Sequence, residues 1–175
     1  MTAFKCTMVI RHSRPLVWST VRDRLPELVP YMSDVEKIVT ESRDEREPGV
    51  VRLVNLWTAK AFIPASLASV VRPDMLRWTD YAEWCDSRGE CSWRIAPSFL
   101  TERIQCGGVA RYEHAMARRG TRVTFEGTLQ IAPGGGVLAS AITNTIEMFI
   151  TGLIPQNAQK LYRAVGAFLD ATARA

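Results

Sequence analysis

Gly120-Thr121-Arg122-Val123-Thr124-Phe125-Glu126-Gly127-Thr128-Leu129-Gln130-Ile131 alternates without a fault. Val123, Phe125, Gly127, Leu129 and Ile131 face one way, and Arg122, Thr124, Glu126, Thr128 and Gln130 the other. Such a period of two is a strand with one covered and one wet face, the pattern of an antiparallel sheet. Pro133-Gly134-Gly135-Gly136 then ends the sheet, and a helical pattern runs almost to the C-terminus. From Val137 to Ile154 the helix is apolar over most of its circumference. Beyond, the stripe narrows to Leu161, Val165, Phe168 and Leu169. The two stripes are out of phase, and Gly152 and Pro155 lie between them, which predicts a kink there.

Working back from that strand, residues 102–117 form its hairpin partner about Arg118-Arg119-Gly120. Residues 75–85 and 90–96 form another hairpin about Asp86-Ser87-Arg88-Gly89, and residues 34–43 and 49–60 a third. Phe4, Cys6, Met8 and Ile10 alternate on an opening strand. Ser13 and Pro15 start a helix with Leu16, Val17, Val21, Leu25 and Leu28 at helical spacing, and Pro26 and Pro30 break it. Residues 64–71 read as a short helix or an apolar loop. The expected order is β-α-ββ-(short α)-ββββ-α: about seven strands and one helix long enough to cover them, an α+β helix-on-sheet domain.

The length of 175 residues fits one domain spanning 1–175, and 47% hydrophobic with 23% charged residues excludes a disordered chain. A net charge of +4, with basic residues scattered among acids, argues against a nucleic-acid partner. Cys6, Cys85, Cys91 and Cys106 show no CxxC spacing, so neither a zinc site nor a cofactor is expected. Cys85 and Cys91 flank a turn, where they would face each other across the hairpin; the simpler reading is four reduced thiols. Met1 to Cys6 has no signal-peptide pattern, and Gly136 to Ile154 carries Glu147 and Asn144, so a cytoplasmic chain with a buried helix is expected.

Val17-Trp18-Ser19-Thr20-Val21 through Leu25-Pro26-Glu27-Leu28-Val29-Pro30-Tyr31, then Asp34-Val35-Glu36-Lys37-Ile38, then Gly120 to Gly127, and the long terminal helix resemble the helix-grip proteins of the START-like (SRPBCC) superfamily. The resemblance covers essentially the whole chain. It implies a curved antiparallel sheet wrapped around the C-terminal helix, and a class that includes polyketide cyclases, coenzyme Q-binding proteins and lipid-transfer domains. No motif in that class names a reaction. The apolar stretch Phe62 to Val71, just after Trp57, loosely resembles the gating loops of lipid-transfer members, which implies transient membrane contact; the alternative is a packed connection.

No GxSxG, P-loop, HExxH or GxGxxG pattern occurs. Candidate site residues therefore come from strand parity. Asn55, Trp57, Trp78, Trp84, Trp93, Tyr112 and Phe125 point inward, and Met148 and Phe149 would close the roof from the helix. They either line a ligand cavity or fill a solid core; Ala82, Gly108, Ala110 and Gly127, which fill little space, favour the cavity. His114 and Asp80 fall on otherwise apolar faces, as an acid/base group and its partner would. Three functions follow. The first is binding, with or without transport, of a lipid or polyketide-like molecule. The others are a cyclase or dehydratase using His114 and Asp80, and an interaction module with a filled core.

Overall fold

The computed structural model describes residues 1–60, 76–98, 102–132 and 137–174, and side chains of the last helix essentially from Ile154 on. Seven strands form one antiparallel sheet: β1 (Thr2–Ile10), β2 (Val35–Asp44), β3 (Val50–Ala59), β4 (Arg77–Cys85), β5 (Glu90–Pro97), β6 (Ile104–Ala115) and β7 (Gly120–Ile131). Their spatial order is β1-β7-β6-β5-β4-β3-β2. Consecutive hairpins lay down β2 to β7, and β1 pairs with β7, Thr2 opposite Leu129 and Ile10 opposite Thr121. The stretch Phe62–Val71 and the triple glycine at 134–136 lie outside the described residues.

The alternation of β7 is realised. Val123 and Leu129 are wholly buried, while Arg111 and Lys5 pair with Glu126 on the outer face. Helix α1 (Arg14–Asp23) starts at Ser13, which caps by backbone conformation alone; its hydroxyl makes no capping bond. Val17, Trp18, Thr20 and Val21 are its buried face. Leu16, expected in that stripe, is 44% exposed, because the buried arc is centred between Val17 and Val21. A 3-10 helix, Leu25–Tyr31, follows, its proline-rich sequence favouring the tighter winding, and it buries Leu25 and Leu28.

Helix α2 runs Val137–Thr172 as one element, with Gly152 and Pro155 inside it. Ile154, Ala158, Tyr162, Val165, Phe168 and Leu169 form its described buried face. Each large apolar side chain so buried stabilises by roughly 1.5–3 kcal/mol. This face packs chiefly on β1, β7 and the 3-10 helix. The site lies between this face and the inner face of β3 to β6.

The β4–β5 register pairs Cys91 with Trp84 and Cys85 with Glu90. The two cysteines therefore sit on opposite faces of the sheet and do not meet across the hairpin. All four thiols are free.

Candidate functional site

A cavity of about 630 Å³ opens between the inner sheet face and the described half of α2. Its floor is aromatic because inward positions on neighbouring strands fall in register. Trp57 on β3 stands opposite Trp78 on β4, and their rings stack at 5.4 Å. Trp93 on β5 lies parallel to Phe125 on β7, 4.6 Å away. Glycine two strands away, on β7, makes room for Trp93: a Cβ at Gly127 would stand 2.7 Å from its ring. At the closed end Trp18 from α1 meets Trp84 and Tyr112 edge-on, and its indole N–H donates to Asp86 Oδ1 at 3.0 Å. The exposed lining residues Lys60, Arg77 and Gln156 mark the open end. There Lys160 Nζ on α2 bonds Asp34 Oδ2 at 2.5 Å.

Two polar stations interrupt the apolar wall. At the first, Thr40 Oγ1 donates to Asn55 Oδ1 (2.9 Å), and Asn55 Nδ2 donates to Asp80 Oδ2 (3.3 Å). The hydroxyl orients the amide, and the amide orients the carboxyl. The Trp57 indole N–H leans toward the same carboxyl without reaching hydrogen-bond geometry. What surface Asp80 keeps opens on the cavity, and burial pushes its pKa up to about 6 against the opposing pull of Asn55 and Trp57. At the second, Tyr112 on β6 and Tyr162 on α2 share a hydrogen bond of 2.7 Å.

No family model matches the chain, and no curated protein matches it. Solved structures do. An aromatase/cyclase, Zhui from Streptomyces sp. R1128, superposes with a TM-score of 0.67 at 14% identity, over 99% of this chain and 96% of that one. TTHA0849 from Thermus thermophilus gives 0.66 at 17% identity, over 95% of this chain and 98% of that one. The di-domain ARO/CYC BexL of the BE-7585A biosynthetic pathway gives 0.59 at 14%, over 95% of this chain and 49% of that one. The chain has the START-like helix-grip fold.

The helix-grip frame explains which expected site residues come together. Asn55, Trp57, Trp78, Asp80, Trp84, Trp93, Tyr112 and Phe125 all border the cavity. The side chains of Met148 and Phe149 lie outside the described residues. His114 is the correction. It shares parity with Tyr112 but sits two residues further along β6, near the hairpin end at Ala115 and Gly120, beyond the rung where the cavity lining stops. Its side chain is exposed, so it is no partner for Asp80. Cys91 and Cys106 also border the cavity, but burial raises both thiols, Cys106 to about 12, which leaves them inert as nucleophiles at neutral pH.

Parity reasoning missed Tyr162, Asp34, Lys160, Lys60 and Arg77. Tyr162 was findable: it lies three residues before Val165, on the stripe that Val165 and Leu169 define. Asp34, Lys60 and Arg77 are polar residues at strand ends, where a sequence shows no periodicity, and Lys160 is a charged residue inside α2, off its apolar stripe. Among the described residues no helix is long and apolar enough to cross a membrane.

Proposed function

We propose that this helix-grip protein binds a hydrophobic small molecule in the cavity, with Asp80 and Asn55 as its polar anchor. The observation that carries the reading is an apolar space of about 630 Å³ holding a carboxyl that is oriented by an amide. Solid cores do not leave such room; ligand sites of this size commonly combine apolar walls with a few placed polar groups. The filled-core interaction module loses its premise here. The ligand class that suits the walls is lipid-like or polyketide-like, carried or simply held.

Native mass spectrometry of freshly purified protein, with solvent extraction of whatever is released, tests this. A stoichiometric apolar adduct is the expected result. A bare mass, together with no binding of added fatty acids or fluorene, overturns it. His114→Ala leaves the adduct unchanged.

One observation favours a second reading, a cyclase or dehydratase. A carboxyl whose pKa is about 6 in a partly dry cavity is poised to take a proton from a carbon beside a carbonyl and return it to the alkoxide formed by ring closure. Two of the structurally similar proteins are aromatase/cyclases. In that reading the acid/base is Asp80. Asp80→Asn would abolish turnover of a poly-β-ketone probe while changing its affinity less than about threefold.

A further inference from the structure

Tyr112 and Tyr162 are 3% and 4% exposed and both border the cavity. They come from β6 and α2, fifty positions apart in the chain, and meet hydroxyl to hydroxyl at 2.7 Å. Two phenols carry two hydroxyl hydrogens, and one bond between them uses one. The second has no acceptor among the described residues. The thiols of Cys6 and Cys91, whose fields reach the pair, are weak acceptors, and each is turned toward a backbone carbonyl, of Pro155 and of Ser92. Leaving a buried donor unmet forfeits its hydration with nothing in return, a loss that phenylalanine at both positions would avoid. The rings are also fixed in place: Trp18 and Trp84 hold Tyr112, and the edge of Tyr112 holds Tyr162. The Asp80 charge acts on both phenols through space but forms no hydrogen bond with them, so the two polar stations are separate.

We infer that the Tyr112–Tyr162 pair donates one hydrogen bond to an acceptor oxygen of the cavity ligand, which makes that ligand an oxygenated molecule, a ketone or ester rather than a hydrocarbon chain. The inference rests on the reading that the cavity holds a hydrophobic small molecule, and it adds a second anchor to it. Either phenol can be the outer donor, since the partner then serves as acceptor. Replacing one tyrosine leaves a free hydroxyl, and only the double replacement removes the station.

The test uses fluorene and fluorenone, one tricyclic frame without and with a carbonyl. Fluorenone binds the wild-type protein about five- to tenfold more tightly than fluorene, the worth of one neutral hydrogen bond. The infrared carbonyl stretch of bound fluorenone lies below its value in hexane. Both effects vanish in the double variant Tyr112→Phe, Tyr162→Phe, which still binds fluorene. Equal affinities in the wild type, a stretch at the hexane value, or a lowered stretch that survives the double variant each overturn the inference while leaving the cavity reading intact. If neither compound binds, the cavity reading falls and takes this one with it. Should the double variant not fold, NMR of the wild-type protein carrying tyrosine labelled with carbon-13 at Cζ decides alone: a buried Cζ resonance that moves with fluorenone and not with fluorene supports the tyrosine pair, and resonances that respond alike to both compounds overturn the inference.

Discussion

Asp80 keeps its proton up to about pH 6, because burial disfavours its charge by more than the Asn55 amide and the Trp57 indole favour it. Folding raises its pKa from the ordinary 3.8 to about 6, so the folded chain holds that proton over a range where the unfolded chain has lost it. Its contribution to stability is therefore complete below about pH 4 and is lost as pH rises through 6. Asp80→Asn removes this dependence. Urea melts should show the variant more stable than the wild type at pH 8 by on the order of 3 kcal/mol, with the gap closing toward about pH 4. Gly108 is constrained differently. A methyl group there would land inside the van der Waals sphere of the Glu126 carbonyl oxygen on the next strand, so Gly108→Ala should lose about 3 kcal/mol in the same melts. Sequence parity put Asp80 and Asn55 on the face that lines the cavity because polar residues on an apolar strand face stand out. It placed His114 wrongly because parity tells which face a side chain takes, not where along the strand the covering helices stop.

Among the elements, the strands were the most legible. Period two and a turn every ten residues or so are local properties, and β3 to β7 stand within two or three residues of their expected bounds. The helices were less so. The buried arc of α1 is set by what it lies on, the Trp84–Tyr112 end of the sheet, and the sequence alone could not tell Leu16 from its neighbours. The same residue type separates the two cases experimentally. Leu28→Ala, in the 3-10 helix and wholly buried, should lower stability by about 3 kcal/mol, whereas Leu16→Ala on α1 should stay within about 0.5 kcal/mol. The bridge from Lys160 on α2 to Asp34 before β2 joins two elements at the open end, yet both side chains remain more than a third exposed. Lys160→Met should therefore change the melting free energy by less than about 1 kcal/mol.

At the scale of the whole molecule, the long helix packs chiefly on β1 and β7, and Ile154, Ala158 and Tyr162 roof the aromatic floor across a space of about 630 Å³. A guest in that space binds the folded chain and not the unfolded one. At about a hundred times its dissociation constant it should add about 2.7 kcal/mol, a rise of roughly 5–10 °C in melting temperature. The same space ties the protein to hydrostatic pressure. Unfolding eliminates internal voids and shrinks the system, by about 20–100 mL/mol in ordinary proteins. Whatever part of the apolar space of about 630 Å³ stays dry without a guest adds to that shrinkage. Occupancy fills the void with atoms, so a molecule that belongs there should raise the pressure at which half the protein unfolds, while one that only coats the surface should leave it where it was.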